Sequence, residues 1–440
     1  MEFAAGQAPK MASLVYMVEG IQSDDPARQI DCTTQFRKLL AKKANPPIQD
    51  VIDAGAVPRF VEFLGKHDNP ELQFQAAWAL TNIASGDSDY VKVIIELGVL
   101  PATIGLLQSA SNDVREQAVW CLGNIAGDSV KHRDAVHKAG ALQPLLDQYK
   151  ENPKNSMLRN VTWTLSNLCR SKPRPPAAVA SAALPFLCML IVQTDDVEAL
   201  ADGCWALSYL SDGSNADIAA VIAAGVCVRL VELLEHQRYT VQVPVVRTVG
   251  NIVTGDDAQT QVIIDCGALP KLLKLLSSPK KGIRKETSWM LSNITSGNGE
   301  QIQAVLDADL IPPLVYMLQH DCLDVKKEAA YVISNAASGG TSKQIEYLVS
   351  HGSIPPMCDL LKVADTSILT VALTGLQVVL RAGNSKKNAL GLPKNPYAVK
   401  VEDADGLALL DGLKGHDNEE VSTLACSIAE VFFGAGGANG

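Results

Sequence analysis

A five-residue phrase returns seven times along the chain at an almost constant interval. It reads Trp78-Ala-Leu-Thr-Asn82, Trp120-Cys-Leu-Gly-Asn124, Trp163-Thr-Leu-Ser-Asn167, Trp205-Ala-Leu-Ser-Tyr209, Arg247-Thr-Val-Gly-Asn251, Trp289-Met-Leu-Ser-Asn293 and Tyr331-Val-Ile-Ser-Asn335. Successive first positions lie 42, 43, 42, 42, 42 and 42 residues apart. A period of this length is one supersecondary unit that cannot bury its apolar face alone, so 440 residues must stack neighbour on neighbour rather than close around one core. A second marker keeps the same register: Asp53-Ala-Gly-Ala-Val-Pro58, Glu96-Leu-Gly-Val-Leu-Pro101, Asp265-Cys-Gly-Ala-Leu-Pro270 and Ser350-His-Gly-Ser-Ile-Pro355. The Gly can end a helix in a left-handed conformation, and the Pro suits the first turn of the next.

Each repeat therefore predicts a short helix, a Gly turn, a second helix such as Val57–Leu64, a polar break at residues 65–70, and a long third helix near residues 71–85. Degenerate units flank the clear ones. Phe36 lies 42 residues before Trp78, Leu373 lies 42 after Tyr331, and a helical pair fills residues 407–433. A three-helix period near 42 matches the armadillo class. The expected fold is all-α, a right-handed superhelical solenoid of about ten repeats spanning residues 13–436. Residues 1–12 are expected to be a flexible or vector-derived lead, and 437–440 a flexible tail. Residues 381–396, rich in Lys, Asn and Gly, are expected to be a loop insertion.

Apolar residues make up 47% of the chain but aromatics only 5%, which suits helices packed on helices. The net charge of −10 argues against nucleic acid as the partner and favours a basic one. None of the ten cysteines forms a C-x-x-C pair, and most fall in apolar helical stretches, so they read as small buried hydrophobes in a reducing compartment. No metal site or cofactor is expected. No apolar run reaches the roughly 18 residues that would span a membrane, and the N-terminus lacks the layout of a signal peptide. There is no P-loop and no nucleophile elbow, and none of the seven His recurs with the repeat, so no enzyme is expected.

Residues four apart share a helix face, so each Trp lies one turn before its Asn. Stacked third helices, roughly 8–10 Å apart, then carry a Trp ladder beside an Asn ladder along the concave wall that solenoids use for extended partners. A lone helical Trp is usually core. A recurring Asn is harder to assign to packing, because Asn is a poor helix former and burying its amide unpaired costs roughly 1–3 kcal/mol. An amide offers donors and an acceptor to a peptide backbone whatever its side chains. Gaps between indoles form slots in which a lysine stem lies along ring faces, each cation–π contact contributing roughly 0.5–2 kcal/mol. Asp128, Asp202, Asp212, Asp257 and Glu328 flank the ladder and are candidate partners for the ammonium groups.

The ladder breaks in the middle, where Tyr209 replaces Asn and Arg247 replaces Trp. Arg247 repels a basic ligand unless it is neutralised, and Glu286, three residues before Trp289, is its expected partner. Two patches result, units two to four and units six to eight. One peptide with a linker of roughly ten residues could engage both across the roughly 25–30 Å that three repeats imply.

These residues resemble the importin alpha family. The resemblance rests on the W-x-x-x-N array, on Trp-Ala-Leu-Thr-Asn-Ile-Ala-Ser-Gly at 78–86 and on Gly-Asn-Ile-Val-Thr-Gly at 250–255, and it covers nearly all the chain after Ser13. It implies a nuclear import adaptor that shuttles between cytoplasm and nucleus and binds lysine/arginine-rich nuclear localisation signals of cargo as a monomer. The implied major site is Trp78, Asn82, Gly86, Gln117, Trp120, Asn124, Asp128, Asn160, Trp163, Asn167, Asp202 and Trp205. The implied minor site is Arg247, Asn251, Asp257, Thr260, Glu286, Trp289, Asn293, Glu328, Tyr331 and Asn335. Three positions depart from the family pattern: Tyr331 where Trp is common, Val91 where a threonine contacts the key lysine, and Lys43 at an edge that is often acidic. No Lys/Arg cluster precedes unit one, so importin beta is expected to be recruited only through a segment that this sequence does not contain. The nuclear export receptor is expected at the C-terminal repeats. The competing class is an armadillo scaffold for signalling or adhesion partners, whose grooves carry Lys and Arg for acidic ligands.

Overall fold

The computed structural model describes residues 7–149, 154–170 and 172–434. Residues 1–6 of the expected lead and the expected tail at 437–440 lie outside the described residues. The helix Gln7–Gln22 begins within the expected lead. Among the described residues there are helices and no strands. Ten long third helices carry the ladder and its flanking equivalents: α1 (Pro26–Leu40), α2 (Pro70–Ala84), α3 (Asn112–Asp128), α4 (Asn155–Cys169), α5 (Val197–Ser211), α6 (Tyr239–Ile252), α7 (Lys281–Thr295), α8 (Leu323–Gly339), α9 (Thr366–Leu390) and α10 (Glu419–Phe433). The chain divides into two compact units, residues 1–210 and 211–440.

In the first unit α1 packs on α2, α2 on α3 and α3 on α4. Their inward faces bury Phe36, Leu80, Ile83, Leu122 and Leu165, and Phe36 meets Phe60 of the second short helix edge-on at 5.2 Å. In the second unit α6 packs on α7, α7 on α8, α8 on α9 and α9 on α10 over Val249, Leu291, Ile333, Leu373 and Ile428. Within each unit the third helices thus bury one stripe against the neighbouring repeats and leave another for the ladder.

The turn marker has the predicted geometry where Gly occupies it: Gly98 and Gly267 sit at φ +84° and +81°. Where Gly is absent the outcome differs. Ala182 stands three residues before Pro185, as Gly55 stands before Pro58, and Ala has no easy access to the left-handed region. The two short helices of the fifth repeat therefore run together as one helix, Ala177–Gln193, with Pro185 inside it. In the eighth repeat Asp309 takes the Gly position and keeps the turn at φ +55°, as Asp tolerates better than most residues.

Two sequence expectations need correction. Residues 381–396 are not a loop insertion, because α9 continues to Leu390 and stops at Gly391, φ +62°. Its polar end is held from outside: Asn395 Nδ2 donates to the Leu380 carbonyl at 2.8 Å and to Asn384 Oδ1 at 2.9 Å, and Lys386 pairs with Glu346. Among the cysteines, Cys322 is exposed at the N-terminus of α8 rather than buried, while seven of the other nine are buried. Helix α9 is also long and apolar enough to cross a membrane, with mean hydropathy 1.3 over an 18-residue window. More than half of that window, 56%, is already buried in the protein, where α9 packs between α8 and α10 as a core helix.

Candidate peptide-binding site

None of the five tryptophans is buried. Trp78, Trp163, Trp205 and Trp289 are half-buried, and Trp120 is 41% exposed. A repeated core position would be closed to solvent, so the indoles of each unit lie at its surface rather than in its core. Small residues make room for them. A Cβ on Gly123 would lie 2.3 Å from Trp163 Cζ3, and one on Gly250 would lie 2.5 Å from Trp289 Cζ3. Each Gly precedes its ladder Asn, so the next repeat's indole lies against bare backbone there.

The asparagines have a second duty that sequence reasoning missed. In the first unit Asn82 Nδ2 donates to the Arg37 carbonyl (3.2 Å), Asn124 Nδ2 to Thr81 (3.0 Å) and Asn167 Nδ2 to Gly123 (3.1 Å). In the second, Asn335 Nδ2 donates to the Ser292 carbonyl (2.9 Å) and Asn251 Nδ2 to Ser211 Oγ (3.2 Å). In five of the six ladder asparagines one amide N–H therefore ties a third helix to its predecessor. The side-chain carbonyls of Asn82, Asn124, Asn167 and Asn335 accept from no described residue, which leaves an acceptor row for a ligand. Asn293 differs: its Nδ2 is buried and has no partner among the described residues. Such a donor costs roughly 1–3 kcal/mol until something accepts from it.

In the first unit the ladder opens a cavity of about 460 Å³ lined by Phe74, Trp78, Asp113, Glu116, Gln117, Trp120 and Asn160. Two indoles thus share a pocket with two carboxylates. Glu116 accepts from Ser156 Oγ at 3.0 Å and Asn160 Nδ2 at 3.2 Å. Phe74 stacks edge-on to Trp78 at 5.5 Å, and the Arg37 guanidinium lies 4.2 Å from the Trp78 ring centroid. Glu116 and Asp113 escaped the sequence reading, although Glu116 lies one turn before Trp120 on the ladder face. Gln117 is buried and spends its amide on Thr81 Oγ1 at 2.7 Å. Gly86 fits closely under Ile48 and Tyr90, where a Cβ would come within 2.7 Å. Val91 is fully buried and does not reach the wall, and Lys43 is exposed.

Asp128, at the C-terminus of α3, accepts from Ser88 Oγ at 2.8 Å and from His132 Nδ1 at 2.6 Å. Burial pushes its carboxyl up, but hydrogen bonds from Ser88, His132 and Ser129 outweigh that and hold it below its ordinary value. Asp202 behaves oppositely. Burial first, then the Glu198 charge, pushes it up to about 6. Tyr209, the residue that breaks the Asn row, stacks on Trp205 with centroids 6.0 Å apart and fills that interval. Asp212 is exposed.

In the second unit Arg247 Nη2 donates to Glu286 Oε1 at 2.7 Å, and its guanidinium lies 5.8 Å from the Trp289 ring centroid. Arg247 is thus both neutralised and laid beside the indole row. Burial raises the Glu286 carboxyl against the opposing pull of Arg247 and Lys285. Glu328 is likewise raised by burial, with Lys285 and Lys327 opposing. Tyr331 is half-buried in its ladder position. Asp257 is exposed and accepts from Asn298 Nδ2 at 3.2 Å. Thr260 is buried and donates to the Val253 carbonyl at 3.3 Å, so it serves the turn rather than the wall.

The armadillo/beta-catenin-like repeat family matches residues 44–85, 87–127, 129–170, 214–254, 256–296, 300–338 and 341–378, and an atypical Arm repeat matches 395–438. The fifth repeat, with its merged helix, falls between the third and fourth of these ranges. Importin subunit alpha-2 of Arabidopsis thaliana is 58% identical over 426 residues, covering 96% of this chain and 79% of that protein. Importin subunit alpha-1b of Oryza sativa subsp. japonica is 55% identical over 425 residues, with the same coverages of 96% and 79%. Importin subunit alpha-B of Dictyostelium discoideum is 56% identical over 414 residues, covering 93% and 80%. Among solved structures, an engineered protein superimposes with a TM-score of 0.84 at 27% identity, covering 95% of this chain and 98% of that one.

Proposed function

The chain belongs to the importin subunit alpha family, and from that premise we propose that it is a nuclear import adaptor whose Trp/Asn ladder holds lysine/arginine-rich localisation signals in extended form. The observation that carries this reading is the row of unburied indoles set beside carboxylates. Trp120 is 41% exposed and shares its cavity with Trp78, Asp113 and Glu116. Asn side-chain carbonyls accept the peptide's backbone N–H groups. Lysine stems lie between indoles, and their ammonium groups reach Asp128, Glu116 and Asp202 in the major site on α2 to α5. The minor site on α6 to α8 uses Trp289, Asn293, Glu328, Tyr331 and Asn335, with Arg247 held by Glu286. On this reading the protein shuttles between cytoplasm and nucleus with its cargo.

The test is a titration of a fluorescent peptide carrying four or five consecutive Lys/Arg against the protein and its Asp128→Lys variant, with an acidic peptide as control. Affinity lost by tenfold or more in the variant, at least about 1.4 kcal/mol, is the expected result. Equal binding by both proteins would mean attraction to net charge alone and would sink the groove assignment. Binding of only the acidic peptide would move the protein to the scaffold class.

A further inference from the structure

The carboxylate placed to fix the key lysine has an imidazole as its nearest partner. His132 Nδ1 lies 2.6 Å from Asp128 Oδ2, across one helical turn from α3 into the helix Val130–Lys138. The side chains are 6% and 13% exposed, so water does little to screen them from each other. Ser88 Oγ reaches the same oxygen at 2.8 Å from the start of the helix Ser88–Glu96. The serine donates to the carboxylate and not to the imidazole, which is the wrong order for a hydrolytic triad.

The other charges around the pair are fixed or exposed. On the helix Val130–Lys138, Arg133 is tied to Asp134 and to the carbonyls of Arg170 and Pro173. Arg170, capping α4, donates to the Gly127 carbonyl. Asp87 and Asp89 flank Ser88 and are exposed. His137 Nε2 is engaged with the Leu168 carbonyl at 3.1 Å. An imidazole is the side chain whose charge ordinarily changes between pH 5 and 8. His132 is therefore the group beside Asp128 that can alternate between donating as a neutral ring and donating as a cation.

Resting on the cargo reading above, we propose that His132 is a positioning residue that sets the charge of the Asp128 slot, so that the slot holds a lysine more tightly as His132 loses its proton. When the ring is neutral, Nδ1–H orients the carboxylate and leaves its full charge to the ammonium. When the ring is an imidazolium, the pair is already neutral and the incoming ammonium meets a competitor one hydrogen bond away. By linkage, a bound lysine must in turn make His132 easier to deprotonate.

The experiment compares the affinity of a Lys-rich peptide from pH 5.5 to 8.0 for the protein and for His132→Asn, whose amide keeps a donor where Nδ1 was but does not titrate. Asp202 is untouched in both, so any effect of its own titration cancels in the ratio. The expected result is a drop in the protein's affinity, between pH 7.5 and 5.5, roughly tenfold larger than the drop in His132→Asn. Superimposable pH profiles, with the peptide bound at pH 7.5, overturn the role of His132 alone. Failure of the peptide to bind at any pH overturns the cargo reading and this inference together.

Discussion

The Asp202 carboxyl sits half-buried on α5 beside Glu198, pushed up to about 6 by burial and then by that neighbour's charge. The native state thus holds this proton more tightly than the unfolded chain does. The group favours folding most at low pH, and that contribution is lost as pH rises through about 6. A lysine ammonium reverses the balance by favouring the ionised form. Carboxyl carbon resonances followed by NMR should give Asp202 a midpoint near 6 in the free protein, moving down when a basic peptide binds. A free-protein midpoint near 4 would remove Asp202 as a poised partner. Residues of this kind were partly legible in sequence. Trp and Asn recur every 42 or 43 residues, and recurrence separated the ladder from the core. His132 and Ser88 do not recur, so no periodic signal marks them, although together they fix Asp128. The bond from most ladder asparagines to the helix before them was hidden for another reason: the acceptor lies 43 to 45 residues upstream of Asn82, Asn124 and Asn335, a separation that becomes contact only after stacking.

Repeats in the second unit are locked by glutamines that each act twice. Gln259, Gln301 and Gln344 complete capping boxes with Asp256, Asn298 and Thr341 at the start of the first short helix. The same side chains donate Nε2 to carbonyls of the preceding repeat, at Asn215 (2.7 Å), Asp257 (2.7 Å) and Gly299 (2.9 Å). Helix start and inter-repeat register are thereby set by one residue, and the spacing of the wall follows from that register. Gln301→Ala should lower stability by about 1–2 kcal/mol, since it removes the N3 half of a capping box together with the bond to the Asp257 carbonyl of the preceding repeat. Urea unfolding monitored by circular dichroism checks this, and a change within about 0.5 kcal/mol would show the double contact to be redundant. Helix boundaries were legible where Gly, Pro or a cap residue marks them, as at Val57–Leu64. They were not legible in the fifth repeat, where Ala182 lets one helix absorb two, nor at residues 381–390, where a polar composition suggested a loop. In that stretch tertiary partners, Asn395 and Glu346, override local preference.

The whole molecule carries a net charge of −10, and that field acts before any slot is filled. It attracts a basic peptide over distances comparable to the Debye length, about 10 Å at 0.1 M salt and about 3 Å at 1 M. The contacts inside the slots are shorter than either and partly desolvated, so salt weakens them less. The two effects divide between the rate constants. Raising salt from about 0.05 to 0.5 M should slow association of a Lys-rich peptide by roughly tenfold while changing dissociation much less. Stopped-flow fluorescence separates the two. A dissociation rate that rises as steeply as association falls would mean that the peptide is held by the diffuse field rather than by indoles and fixed carboxylates. Net charge alone could not have distinguished these cases, because mild acidity equally serves solubility. The fixed-site case rests on Asp128 and Glu116, each held in place by hydrogen bonds along the ladder face of the first unit. A diffuse negative surface needs no such fixation; a site that must meet ammonium groups at set intervals along an extended chain does.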